Sequence, residues 1–216
     1  MKRKKLLILC AALICIAAAA FFIFRPSGLE SVESLRADYP YYNGTGLASM
    51  MSMEQFSKQT NGAWLTGADA FVVIKVTGGW SHETQTTYPN PAVDPAHTVD
   101  VTHLYLPVEI VWVLEKDAGS SSSLQEGSPA YLSYPAVIFE AEDAFSVGDQ
   151  FVCFVSKGST RSGALVLHAS SYMTYYLTDS GQVMSLTNDK LMDSYSGKTL
   201  NQFKSAMSSV MKKSGW

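Results

Sequence analysis

The chain has 216 residues, 47% of them hydrophobic and 16% charged, with a formal net charge of −3. That length suits one domain with a sizeable core. All nineteen acids but only eleven of the sixteen basic residues follow residue 25, so the part after it carries −8 and disfavours nucleic acid and anionic lipid surfaces as partners.

Residues 2–5 are Lys-Arg-Lys-Lys, and residues 6–24, LLILCAALICIAAAAFFIF, hold no polar side chain apart from Cys10 and Cys15. As a helix this run reaches ~28 Å, close to the hydrocarbon thickness of a bilayer. Residues 1–25 therefore read as a signal anchor or a signal peptide. The basic cluster stays in the cytoplasm and the C-terminal part goes outside. Ala18-Ala19-Ala20 fits a processing site. The apolar run continues through Phe24, however, which favours an uncleaved single-pass anchor in the cell membrane over secretion. Only Cys153 lies in the outer part, so no disulfide forms within it. An exported domain of that kind fits a bacterial setting.

Residues 26–67 read as a lead-in. A stalk-like mixture of Gly, Ser, Tyr and Pro over 26–50 is followed by a short helix from the Ser52–Gln55 capping box to Gln59. Asn61-Gly62 breaks it. The domain proper is placed at 68–216. It opens with a buried strand, AFVVIKV (70–76), ended by Gly78-Gly79, and then a long loop over 80–97.

TVDVTHLYLPVEIVWVL (98–114) alternates with a period of two and is rich in β-branched and aromatic residues, so it reads as one long strand, or two joined at Pro107. Val108, Ile110, Trp112 and Leu114 are expected to face inward, with Glu109, Val111, Val113 and Glu115 outward. A flexible loop (117–127) follows, then a strand in 130–140 interrupted at Pro135. A turn at 147–149 leads into QFVCFV (150–155). Two further strands fall at 163–169 and 172–178, and a hairpin turn at 179–181 leads to 182–186. The end is helical. Thr199 and Gln202 make a capping box, and Leu200, Phe203, Met207, Val210 and Met211 form one apolar stripe.

The order ADAFVVIKVTG (68–78), TVDVTHLYLPVEIVWVLEKDAG (98–119) and FSVGDQFVCFV (145–155) resembles small exported OB-like β-barrel domains of Gram-positive bacteria. It is also similar, at the level of pattern, to the barrels of tissue inhibitors of metalloproteinases and netrin modules. The resemblance implies a mainly β chain: a small OB-like barrel with a C-terminal helix, preceded by the transmembrane helix. Those inhibitors chelate zinc with an N-terminal Cys, which this chain lacks, so that mechanism is not implied.

Candidate chemistry is sparse. Asp94, His97, Asp100 and His103 are spaced by three, a metal-like set on a helix but one split between faces in a loop and strand. Solvent-facing, non-ligating side chains are the plainer reading. His82-Glu83 lacks the second His of a zinc helix. Cys153 alternates with Phe151 and Val155 and reads as core, with His168 its one downstream His. Glu140, Glu142 and Asp143 read as a solvated turn. Trp80, Tyr131, Tyr134, Tyr172, Tyr175 and Tyr176 are candidates for a recognition surface, or else packing of the barrel. No G-x-S-x-G, P-loop or G-x-G-x-x-G is present.

The expectation is thus a membrane-anchored, extracytoplasmic binding module without catalytic activity. It would need no cofactor and would meet an extracellular protein or small ligand. A secreted inhibitor or regulator of an extracellular enzyme is the alternative, and a hydrolase with an unrecognised site is a third.

Overall fold

The computed structural model describes residues 28–42, 53–65, 67–87, 98–116, 124–135, 142–160 and 163–215. The apolar run 6–24, Asp94, His97 and Glu140 lie outside these. Among the described residues no helix is long and apolar enough to cross a membrane.

The chain is mainly β. Its strands are β1 (Ala70–Val76), β2 (Ser81–Thr87), β3 (Val99–Glu115), β4 (Pro129–Pro135), β5 (Gln150–Ser159), β6 (Leu165–Leu177) and β7 (Val183–Ser185). Helices α1 (Val32–Asp38) and α2 (Met53–Gln59) precede them, and α3 (Lys190–Asp193) and α4 (Leu200–Lys213) follow.

Five strands close into a ring. β1 pairs with β3 and β5, β3 with β4, and β5 with β6, all antiparallel, and the ring is completed by a parallel β4–β6 seam of three residue pairs. β2 hairpins onto β3, and β7 onto β6.

Alternation along the strands fills the ring. Val72, Ile74, Leu104, Leu106, Val108, Ile110, Leu132, Phe151 and Cys153 form the inner core. The outward residues of β1 and β5 are also apolar. Phe71, Val73, Val152 and Phe154 form a second core beneath Phe203, Met207 and Met211 of α4. This explains the apolar run AFVVI (70–74), because that part of the strand is buried on both faces, while Lys75 is exposed. The expected capping box holds α4: Gln202 N–H donates to Thr199 Oγ1 (3.3 Å) and Thr199 N–H to Gln202 Oε1 (2.9 Å).

Four expectations need correction. First, β3 is one strand of 17 residues, the first of the two expected forms, and its ladder with β4 passes through Pro107 without a register shift, but its faces do not run as expected to the end. The irregularity falls later. Ile74 pairs with Ile110 but Val73 with Trp112, so Val111 is bulged and the faces exchange beyond it. Val108 and Ile110 do face inward. Trp112 instead packs outward against Phe71 (5.4 Å, edge-on), with Lys204 Nζ 3.5 Å from its ring centroid, and Leu114 is exposed. Val113 and Glu115 take the inner side, where Lys157 Nζ meets Glu115 Oε1 at 3.0 Å.

The bulge has a measurable consequence. Ile110→Ala is expected to cost about 3–4 kcal/mol. Trp112→Ala, losing one aromatic and one cation–π contact at a half-buried site, should cost only about 2 kcal/mol. Urea unfolding of the two variants decides it, and the reverse order would place Trp112 back inside the barrel.

Second, residues 81–87 are strand β2 and not loop. Thr84 and Thr86 put β-branched residues on the ladder, and their hydroxyls bond across to Thr102 (2.9 Å) and Asp100 (2.8 Å) on β3. Third, the two strands expected over 163–178 are one, β6. Its ladder to β5 jumps from Thr174 opposite Cys153 to Ala169 opposite Val155, so residues 170–173 loop out between them.

Fourth, the described part of the 26–50 segment is folded onto the barrel. Gln182 reaches across to Glu30, accepting its N–H (2.9 Å) and donating to its carbonyl (3.0 Å). Arg36, on α1, donates through Nη1 to the carbonyls of Ser185 (2.8 Å) and Tyr39 (3.0 Å). Through Nη2 it donates to Asp193 and to Ser196 Oγ (3.0 Å). Tyr41 stacks 3.8 Å from the guanidinium and donates to Asp193 Oδ2 (2.8 Å).

Candidate functional site

The strap 28–42 roofs one end of the barrel and leaves a cleft of about 660 Å³ between itself, the turn before β5 and the β6–β7 turn. That volume falls in the range of small-molecule sites. One wall is aromatic. Tyr39 meets Tyr176 edge-on at 5.3 Å, Tyr42 lies beside them, and Tyr176 OH donates to Pro40 O (3.2 Å). The rim carries Asp38, Asp143, Asp149 and Asp179, and among the described residues no Lys, Arg or His lines the cleft. Burial raises the phenol pKa of Tyr39, with the carboxylates of Asp179, Asp149 and Asp38 adding to it. Burial does the same for Tyr176. Both hydroxyls therefore stay protonated; that of Tyr176 is committed to Pro40 O, and that of Tyr39, which accepts Asp179 N–H, can donate. Gly148 and Gly181, at φ 102° and 75°, form the two turns in the left-handed region that favours glycine. Asp149 fixes the first turn by accepting Ser146 N–H (3.0 Å).

A second, smaller groove of about 320 Å³ lies on the outer wall of the barrel, beside the outward loop of β6. His103 of β3, Ser133 of β4, and His168 and Met173 of β6 line it. Two buried atoms there have no hydrogen-bond partner, His103 Nδ1 and Ser133 Oγ. Ser133 is 1% exposed. Burial, and then the charge of His103, lowers the pKa of His168.

The residues singled out in the sequence fall in several places. Tyr134 is inside the barrel, its hydroxyl paired with Thr174 Oγ1 (2.8 Å). Tyr175 is beneath α4 and donates to Met192 O (3.2 Å), and Tyr172 is half-buried in the same outer core. Tyr131 sits on the outer wall, edge-on to Tyr105 at 6.3 Å. Trp80 donates from Nε1 to Glu142 O (2.9 Å) and packs on Phe145. Of this set Tyr134 and Tyr175 are core, in line with the packing alternative, and Tyr176 lines the cleft.

Cys153 faces the barrel interior, fully buried, with its thiol pushed up to about 12 by burial, whereas His168 is on the outer wall. They cannot act as a pair. Asp100 accepts from Thr86, and His82 Nε2 lies 3.7 Å from Glu142 Oε2 at an exposed position. Among the described residues no group of three or more His, Cys, Asp or Glu is placed to hold a metal.

Sequence reasoning missed both the cleft and the groove. The run Tyr39-Pro40-Tyr41-Tyr42 was the available signal for the first, since aromatic residues this dense do not suit a solvated stalk. No protein-family model, no curated protein and no solved structure matches the chain.

Proposed function

We propose that the chain is a membrane-anchored, extracytoplasmic binding module without catalytic activity, built on an OB-type barrel. The ring order supports the barrel type. Numbered within the ring, its strands run 1-2-3-5-4 and return to 1, with strands 3 and 5 parallel, as in a small Greek-key barrel. The basic cluster followed by an apolar run supports the anchor.

The observation that carries the binding reading is the roofed cleft. Its aromatic wall supplies contact area and its phenols supply donors. Its rim, acidic and without a basic side chain among the described residues, suits a neutral or cationic ligand over an anionic one.

One preparation tests both parts. In intact cells the protein should fractionate with membranes and be digested by external protease. In detergent, a library of small neutral and cationic compounds screened by NMR should give hits whose shifts map to Tyr39, Tyr42 and Tyr176. Recovery of most of the protein from the medium, beginning at Phe21, would replace the anchored reading with the secreted one. Hits that map elsewhere, or none, would remove the cleft as the site.

A further inference from the structure

The negative charge around the cleft is spread over separate segments. Asp38 comes from the end of α1, Asp143 from the short helical turn Glu142–Ala144, Asp149 from the turn before β5 and Asp179 from the β6–β7 turn. We propose, resting on the cleft as the binding site, that its ligand is a linear polyamine, a chain of protonated amines separated by methylene groups.

The cavity supplies the apolar half of that chemistry. It is roofed by the strap and walled by Tyr39, Tyr42 and Tyr176. The rings of Tyr39 and Tyr176 stand at 61° to each other and form a corner in the wall. Tyrosine rings cover alkyl carbon and attract a cation over their faces. Methylene groups packed on this wall leave water while the amines between them turn to the rim. The roof favours an unbranched chain, which can enter beneath it.

The carboxylates supply the polar half. Among the described residues none donates a hydrogen bond to the carboxylates of Asp38, Asp143 or Asp179, and none forms an ion pair with them. Three of the four surround one phenol. Tyr39 OH accepts Asp179 N–H (3.4 Å), and Asp179, Asp149 and Asp38 all add to the rise of its pKa. Asp149 and Asp179 lie just beyond the paired ends of β5 and β6, where Gln150 is opposite Leu177. Like charges gathered in this way repel one another, and a cation among them removes the repulsion.

The spread of the carboxylates decides which cation fits. Among the described residues no group of three or more His, Cys, Asp or Glu is placed to hold a metal ion, so a point charge finds no cage here. A quaternary ammonium has no N–H to donate and leaves the carboxylate acceptors unused. A protonated amine donates to carboxylate and to phenol oxygen alike. Amines held apart by methylenes match carboxylates held apart on the rim.

The test uses the full chain in an uncharged detergent, with putrescine, spermidine and spermine as probes carrying two, three and four amines. Binding is measured by calorimetry and located by NMR shifts at Tyr39, Tyr42 and Tyr176. Affinity should rise about fivefold with each added amine and fall about tenfold when salt is raised from about 50 to about 300 mM. Asp38→Asn and Asp179→Asn remove charge at exposed positions and should each weaken spermidine about fivefold at unchanged melting temperature. Glu33→Gln, exposed on α1 outside the cleft, changes the net charge equally and should leave the affinity as it is. The proposal is overturned, with the cleft still standing as a site, if neutral compounds or a tri-lysine peptide shift these tyrosines and polyamines do not. It is likewise overturned if affinity ignores the number of amines, or if both Asn variants bind spermidine as the parent does. If no polyamine and no screened compound shifts these tyrosines, the cleft itself falls as the binding site and the proposal falls with it.

Discussion

Phe203→Ala is expected to destabilise the barrel by about 3–5 kcal/mol, the range for truncating a buried aromatic. Phe203 is 0% exposed and is the meeting point of the outer core. Its ring stands 4.7 Å from Tyr175, 5.7 Å from Tyr195, 5.9 Å from Phe71 and 6.4 Å from Phe154. Truncation removes all four contacts and opens a space that β1 and β5 cannot close without breaking the ring. A domain of this kind holds roughly 5–15 kcal/mol in all. The variant should therefore melt far below the parent, while Lys212→Ala, on the exposed face of the same helix, should stay within about ±0.5 kcal/mol. Urea unfolding followed by tryptophan fluorescence checks both. If Phe203→Ala unfolds at the parent's midpoint, α4 is an appendage and not part of the core.

Arg36→Ala is expected to cost about 2–3 kcal/mol, and the loss should be local. The guanidinium serves the carbonyls of Tyr39 just past α1 and of Ser185 on β7, the Asp193 carboxylate at the end of α3 and the Ser196 hydroxyl beyond it, so its removal leaves Asp193 without its cation and Ser185 O without one donor. The strap 28–42 should lift while the ring persists. Limited proteolysis should then cut within 28–42 many times faster than in the parent, with the strand circular dichroism retained. Arg36→Lys should restore little, because an ammonium cannot reproduce the planar fork. Equal cutting of parent and variant would show that the remaining contacts, Gln182 with Glu30 among them, hold the strap unaided.

Where a strand buries both faces or alternates cleanly, the sequence is readable. β1 is one case and β3 as far as Ile110 is the other. The helix α4 announces itself through a local capping box. β2 is hidden because SHETQTT has no apolar face: it is a ribbon on the outside of β3, stabilised by Thr hydroxyls and not by burial. The bulge at Val111 is hidden because Val, Trp and Leu are acceptable on either side of a wall that is apolar on both. α1 is hidden because the partners of Arg36 lie some 150 residues away. Nothing local distinguishes Tyr134 and Tyr175, both core, from Tyr131 on the wall. The two grooves are assembled from separate strands and turns, so no spacing in the chain points to them.

On the anchored reading, the fastening of the strap would set how far the domain can stand from a bilayer. Strap residues are held to the barrel from Glu30 onward, and described structure begins at Gly28. In the anchored reading the span ends at Phe24, so six peptide units, about 20 Å at full extension, separate it from Glu30. A free stalk over 26–50 would have reached about 85 Å. The tether is shorter than the domain is wide. On the anchored reading such a domain would ride on the membrane surface, sample only the thin layer above the headgroups, and meet partners that diffuse in the plane of the bilayer or arrive at its face.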